Sequence, residues 1–592
     1  MHLSYLDWLI IAVYLCATIG IGIYFSRRAS GSIKDFFLAG RNLPWWLAGT
    51  SIVATTFAAD TPLAVSGLVR SGGIYENWFW WNAAMGGMLS VFFYARLWRR
   101  AGILTDAEFI ERRYSGKAAA ILRGFMALYS GVIVICISMG WVMLAMIKIS
   151  KAIFDWDRFT AFANSLYMDP TVMLLGILIV VALTYTMLSG LWGVVITDFI
   201  QFIIAMTGSI ALAVIILGKL GGVSGMVESV KQSPEFTAAV FDFVPNLAKA
   251  GSLAVFTFIV YIAVQWWAGG PGGGSSVQRI MSAKNERHAT LAVLWGYFNH
   301  YVVRPWPWII VGLASFVYFS TGDLGNDPEL AYPNMMVHFL PNGLRGLMIV
   351  SFIAAFMSTI DTGLNTGASY LVNDLYKRFI SRHGSPHHYV IASRAATVII
   401  ICIGAIIAWQ METIAGAWKY LAKMGSGVGL VLLLRWFWWR INAWSEISAL
   451  LTSLILANIL PLLAKMDGSF QYLDEFAVQL VIIVIISTIV WIIVTKCTRP
   501  VDTDRLKTFY RAVRPGGWWC PIARECPEVV QDRTSRGIVP WVAGCMWIYT
   551  SMFGLGYLCL GQYSTGLGFL VAAALFGWIT VRGLFILTPP ET

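Results

Sequence analysis

The sequence predicts an all-α membrane protein, and three observations carry that expectation. Hydrophobic residues make up 58% of the 592 positions and charged residues only 12%, where a soluble domain carries about 25% charge. Apolar stretches close to the ~20 residues of a spanning helix recur along the whole chain. Two of them are broken in the middle, at 54–62 (Ala-Thr-Thr-Phe-Ala-Ala-Asp-Thr-Pro) and at 269–276 (Gly-Gly-Pro-Gly-Gly-Gly-Ser-Ser). A broken helix frees backbone amides and carbonyls, which persist inside a bilayer only when buried in protein or lining a cavity. Paired breaks in two halves of a chain point to the binding site of a secondary transporter.

The elements follow in order. The stretch 5–25 lacks a basic start and a small-residue cleavage site, so it is expected to remain as a helix. The stretch 43–70 carries the first break. Continuous spans follow at 76–98 and 120–147. Spans 171–190 and 192–218 are separated only by Ser189 and Gly190, and both are kept as helices. The stretch 250–276 carries the second break. Spans at 290–318, 344–372, 390–409, 412–434, 445–464, 476–496, 538–559 and 565–588 bring the candidates to fifteen.

Loop charge orients them. Loops 26–42 and 96–117 are rich in Arg and Lys, as are those following 276, 372, 434 and 496. The alternate loops 319–343 and 465–475 carry Asp323, Asp327, Glu329, Asp467, Asp474 and Glu475. The positive-inside rule then predicts a multi-pass protein of the cell (plasma or inner) membrane, N-terminus outside and loop 497–537 inside. That basic loop reads as a topology-fixing linker or as a contact for anionic lipid. Trp436, Trp438 and Trp439 beside Arg440 are expected in an interfacial belt.

The net charge of +11 is spread over short loops, which argues against nucleic acid as a partner. The lipid bilayer is the expected partner instead. Eight cysteines show no metal-ligand spacing and read as reduced and structural. No metal motif or nucleophile elbow is present, so no enzymatic activity and no cofactor are expected. Of seven histidines only His300 falls within a span, where it reads as a packing residue.

Ionisable groups inside spans are rare and need a reason. Asp198 is either an ion ligand or a helix-start carboxylate favoured by the macrodipole. Ala355, Ser358, Thr359 and Thr362 recur at i, i+3, i+4 and i+7 and share one helix face, with Asp361 adjoining it. Such hydroxyls serve as packing glue between helices or, with carbonyls and a carboxylate, as oxygen ligands for a hard cation. Carbonyls freed near Ala54 and Phe57 would complete that shell. For Asp60 three readings are open: binding a cationic group, relaying a proton, or capping the outer half-helix. Arg304 either meets a solute carboxylate or pairs internally.

An ordered set of segments then resembles the sodium:solute symporter family, which includes sodium-coupled sugar, proline and sialic acid transporters. It comprises Asp35 to Arg41 before a Pro-Trp-Trp; the broken segment from Ser51 to Gly67; Leu104 to Phe109 with Arg112, Arg113 and Tyr114; Gly190 to Gln201; Val277, Gln278 and Arg279; and Met357, Ser358 and Thr359 followed by Asp374, Leu375 and Tyr376. The resemblance covers about residues 5 to 460. It implies a LeuT-like five-plus-five inverted repeat with an extra N-terminal helix and additional C-terminal helices. The segments would be 1–42 (first helix and cytoplasmic loop), 43–218 (repeat one), 219–249 (extracellular loop), 250–440 (repeat two) and 441–592 (C-terminal helices with loop 497–537).

The resemblance also implies a sodium site on the carbonyls of Ala54, Phe57 and Ala355 and the hydroxyls of Ser358 and Thr359. A second ion site maps to Asp198, Ser358, Asp361 and Thr362. Relatives usually carry a hydroxyl where this chain has Asp361, a departure that would tighten the site or let a proton replace sodium. The sugar-contacting set maps to Thr61, Trp80, Ala83, Gly273 and Tyr301, and the acidic residue of that set is absent at Trp80. With Asp60, Gln265 and Arg304 added, the expected solute pocket is Asp60, Thr61, Trp80, Gln265, Gly273, Tyr301 and Arg304. Sodium is the only metal ion expected, as a coupling ion.

The function expected is a sodium-coupled symporter importing a small polar organic solute (a sugar, sugar acid, amino acid or carboxylate) by alternating access. The alternatives are a proton-coupled symporter and a transporter-like sensor, although no signalling domain follows. A channel would require a continuous polar filter, which paired breaks do not supply.

Overall fold

The computed structural model describes residues 3–29, 38–103, 106–185, 191–246, 251–268, 276–466 and 468–587. The elements described there are helices, joined by turns and two isolated backbone bridges. The principal ones are α1 (Tyr5–Ala29), α2 (Trp45–Thr55), α3 (Asp60–Gly72), α4 (Gly116–Ile153), α5 (Pro170–Tyr185), α6 (Leu191–Lys219), α7 (Ser252–Ala268), α8 (Glu286–Phe298), α9 (Pro305–Tyr318), α10 (Leu344–Ser369), α11 (Pro386–Gln410), α12 (Ile414–Ser426), α13 (Gly429–Phe437), α14 (Ala443–Met466), α15 (Phe476–Cys497), α16 (Ile538–Cys559) and α17 (Tyr563–Leu587).

The first break is present. Helix α2 starts after Pro44 and ends at Thr55. The chain then turns through Thr56–Ala59, and α3 leaves at 60° to α2. Pro62 sits in the first turn of α3, where its missing N–H costs nothing because such amides have no intrahelical acceptor. Asp60 stands at that same positive helix end, as the first residue of α3. The second break, including Gly273, lies outside the described residues, as do Ser189 and Gly190. At its near edge α7 packs against α13 so closely that a Cβ on Gly429 would fall 2.1 Å from the Ala268 carbonyl oxygen.

Among the described residues, eight helices are each long and apolar enough to cross a membrane, or ten if each sharply bent pair counts as one span. Several of the fifteen apolar stretches are composites instead. Span 290–318 is α8 and α9 joined by a wide i→i+5 turn at Asn299–Val303, and span 412–434 is α12 and α13. Between those two helices the Gly427 amide donates to Ser453 Oγ at 3.1 Å. Wide turns also occur at Tyr129–Val134 in α4 and at Tyr261–Gln265 in α7. Such π turns are frequent at functional sites.

Two contacts fix the frame around α2. Leu43, just before α2, exchanges backbone bonds with the Ser276–Ser282 helix: its amide donates to Ser282 at 3.1 Å and its carbonyl accepts from Lys284 at 3.2 Å. Asp7 of α1 accepts from the amides of Gly343 and Gly346 at 2.7 and 2.8 Å, a carboxylate seated on the N-terminus of α10.

Loop 497–537 is folded. Its Thr503–Val513 helix buries Leu506, Phe509, Tyr510 and Val513. Arg113 lies over the Phe509 and Trp519 rings and donates to the carbonyls of Arg435, Trp438 and Trp439. Trp436 therefore does not belong to an interfacial belt. It is buried among Trp98, Phe109 and Phe509, because this returning helix covers it.

Candidate functional site

A buried carboxylate cluster is centred on Asp198 of α6, which is fully buried. Its Oδ2 accepts from Ser51 Oγ of α2 at 2.7 Å, and its Oδ1 accepts from Ser358 Oγ of α10 at 3.0 Å. Arg279, also buried, brings Nη2 to 3.8 Å from Oδ2, and its Nε donates to Ser51 Oγ at 3.4 Å. One carboxylate thus ties together three helices and the Ser276–Ser282 segment. An isolated buried carboxylate is strongly disfavoured; two hydroxyl donors and a guanidinium offset that cost.

The other expected ion ligands surround this cluster. Thr359 Oγ1 donates to the Ala355 carbonyl at 2.9 Å, and the Ala54 carbonyl accepts from the Phe57 amide at 2.8 Å. Thr362 is half-buried on the same helix. Asp361 is buried and accepts from Asn365 Nδ2 at 3.0 Å. Of the second set, Asp198 and Ser358 are directly bonded, whereas Asp361 takes a donor from its own helix.

A second cluster lies across the break. Tyr301 stacks between Trp80 (ring centroids 5.6 Å, 22° between planes) and Tyr297 (6.0 Å, 4°). His300 meets the edge of Trp80 at 5.5 Å, and its Nδ1 lies 3.0 Å from Thr56 Oγ1. Thr56 is solvent-exposed although it sits at the break. Arg304 is fully buried, and its Nη1 donates to the Val53 carbonyl at 3.0 Å and to Thr56 Oγ1 at 3.1 Å. Asp60 accepts from Trp418 Nε1 at 3.2 Å. Thr61 Oγ1 donates to the Thr56 carbonyl at 3.4 Å, and Gln265 Nε2 to the Phe79 carbonyl at 2.8 Å. Tyr301 and Gln265 both sit on the wide turns that interrupt their helices.

Sequence reasoning did not single out Ser51, Thr56, Tyr297 or Trp418, and it used Arg279 only as part of a motif. His300 was expected to be a packing residue; it is instead bonded to the break through Thr56. The available signal was positional: His300 lies one turn before Arg304, and Thr56 lies within the break itself.

The 319–343 loop carries a separate network. Lys148 Nζ lies 2.6 Å from both Asp327 and Glu329. Glu329 also accepts from the amides of Ile414 and Ala415, at 3.0 and 2.9 Å, joining the 319–343 loop to the start of α12.

A broken helix crossing a buried carboxylate–hydroxyl cluster defines a class, the secondary transporters with interrupted spans. Comparison with known proteins makes the assignment specific. The sodium:solute symporter family model matches residues 36–455, and the chain belongs to that family. It is 26% identical to a sodium/glucose cotransporter of Vibrio parahaemolyticus, over 82% of this chain and 90% of that one. It is 24% identical to sodium/glucose cotransporter 4 of Danio rerio, over 89% of this chain and 83% of that one. Among solved structures it resembles a Na+-coupled sialic acid symporter in a substrate-bound outward-open state, with a TM-score of 0.61 and 20% identity over 84% of this chain and 99% of that one. The LeuT-like fold with extra helices follows from this likeness, and the protein is multi-pass.

Proposed function

We propose that this protein is a sodium-coupled symporter that imports a small polar organic solute by alternating access. The family and its relatives support sodium coupling. The observation that supports the reading here is that Ser51 of α2 and Ser358 of α10 both donate to the buried Asp198, which brings the hydroxyl-bearing helix to the broken one. Sodium would take the carbonyls of Ala54, Phe57 and Ala355 and the two hydroxyls, preorganising the junction between α2 and α3. Asp198, Ser358, Asp361 and Thr362 form the second ion site. The solute pocket is Asp60, Thr61, Trp80, Gln265, Gly273, Tyr301 and Arg304. Repeats at 43–218 and 250–440, an N-terminus outside and residence in the cell membrane complete the reading.

Sodium and solute act through differential affinity for the outward- and inward-facing states. The membrane potential adds about 2.3 kcal/mol per charge per 100 mV. The test is Ser358→Ala combined with Thr359→Ala. The double variant should fold, judged by a single chromatographic species, yet lose sodium-dependent uptake and the sodium-induced rise in melting temperature. Sodium activation equal to that of the unaltered protein would remove this site from the mechanism.

A further inference from the structure

Arg304 presents an edge with no hydrogen-bond partner among the described residues. A guanidinium has five N–H donors in a fixed plane. The two on Nη1 are used, one by the Val53 carbonyl and one by Thr56 Oγ1. The plane is held against the Phe57 and Trp308 rings, with the guanidinium carbon 5.7 and 5.1 Å from their centroids. The remaining donors, on Nε and Nη2, are buried and have no hydrogen-bond partner among the described residues. The residue is 0% exposed. An unmade bond at a buried donor costs about 1–3 kcal/mol, more when the group is charged. Such a group calls for a specific explanation.

The geometry of the open edge limits what fits it. Nε–H and one Nη2–H are parallel and spaced like the two oxygens of a carboxylate, the side-on bidentate arrangement that favours Arg over Lys. A neutral hydroxyl would satisfy only one of the two donors. Across the break, Asp60 offers the complement. It is 2% exposed, Trp418 holds its Oδ2, and its Oδ1 is buried without a partner. Asp60 and Arg304 feel each other's charge, yet Asp60 Oδ1 and the Nε and Nη2 donors of Arg304 have no hydrogen-bond partner among the described residues, so each can take a third group. The Trp80–Tyr301 stack begins one helical turn before Arg304, and exposed Thr56 joins the cluster to solvent.

We propose that the transported solute is a small carboxylate, bound bidentately by the Nε–Nη2 edge of Arg304, with Asp60 Oδ1 accepting from an ammonium or hydroxyl group of the same molecule. This rests on the transporter reading and names the solute class for its pocket. The aromatic stack faces the C–H surface of that molecule. Sugars without a carboxylate are poor ligands on this reading.

The experiment is a thermal-shift screen of the purified full-length protein in sodium and in potassium. The probes are lactate, gluconate, glucuronate and the common amino acids, each paired with its carboxamide, together with glucose and galactose. At least one acid should stabilise the protein in sodium, and its amide should bind at least about tenfold more weakly. Arg304→Lys keeps the charge but not the fork; it should lose the acid response by a similar factor while keeping the response to sodium alone. Asp60→Asn should weaken the same ligand, and an unchanged affinity would remove Asp60 from the site. Amino acids against hydroxy acids distinguish the ammonium from the hydroxyl donor.

The proposal is overturned if uncharged sugars or the amides stabilise as well as the acids. It is also overturned if Arg304→Lys retains full acid affinity, or if sodium stabilises the protein and no acid does. Should Arg304→Lys fail to fold, the acid–amide comparison on the unaltered protein decides. Absence of any sodium response in the unaltered protein would instead strike the transporter reading.

Discussion

Asp198 and Arg279 form the buried charge pair whose removal tests the buried carboxylate cluster most directly. At their separation of 3.8 Å, Coulomb attraction is about 4 kcal/mol for an effective dielectric of about 20. Asp198→Asn keeps the shape and the hydroxyl partners but leaves the Arg279 charge uncompensated. Arg279→Met keeps an apolar stem and leaves the carboxylate uncompensated. Breaking one side of a buried pair costs about 3–5 kcal/mol. With about 2.1 cal/mol/K of unfolding entropy per residue and 592 residues, 1 kcal/mol corresponds to about 1 °C. Each single variant should therefore melt about 3–5 °C lower, followed by intrinsic tryptophan fluorescence in detergent without sodium. The double variant removes both charges and should be destabilised by less than the sum of the two single effects, with a coupling of about 1–3 kcal/mol. If the double variant is destabilised by the sum of the two single effects, the charges do not compensate each other. Arg279 would then be held by other contacts.

Trp80→Ala removes the outer ring of the Trp80–Tyr301–Tyr297 stack and should weaken solute binding by about tenfold while leaving the sodium response intact; equal loss of both would misplace the pocket. Asp361→Ser restores the hydroxyl expected from the family resemblance. It should keep sodium-driven uptake, whereas loss of uptake driven by a proton gradient would assign Asp361 to proton coupling. Glu329→Gln weakens the bond to Lys148 and the acceptor at the start of α12. Melting should fall by about 2–4 °C, and an unchanged melt would mean that Asp327 alone suffices to hold Lys148.

The first break was legible because Asp60, Thr61 and Pro62 interrupt an otherwise apolar run, and the hydroxyl face of α10 was legible from its spacing. Composite spans were not. Hydropathy averages composition over a window, so it passes over the Asn299–Val303 turn and the division between α12 and α13. Partnerships between distant positions were also invisible. Ser51 is 147 residues from Asp198 and 228 from Arg279, and a lone serine in an apolar helix carries no periodic signal. Loop 497–537 read as a linker because its charge dominated its composition. The structure instead buries Phe509 and Tyr510, with Phe509 against Phe109 and Trp436, which is why Trp436 lies inside.

The short helix α2 connects the two clusters. Ser51, near its middle, donates to Asp198. The Val53 carbonyl and Thr56, at its end, hold Arg304. Ala54, between them, carries the carbonyl expected to face sodium. A helix of 11 residues is about 16 Å long, and a rigid rod of that length cannot shift at one end without shifting at the other. A displacement of α2 that alters the Ser51–Asp198 bond therefore also moves the anchor of the Arg304 fork. Coupling between ion and solute requires that each bind one arrangement of the same element better than another. With a typical coupling of about 1–3 kcal/mol, the energy at stake equals the loss of one or two of these bonds, so no longer pathway through the bundle is needed. In the proposed mechanism the coupling element is this half-helix, and the carboxylate that holds its middle and the guanidinium that holds its end are the groups through which ion and solute would each act on it.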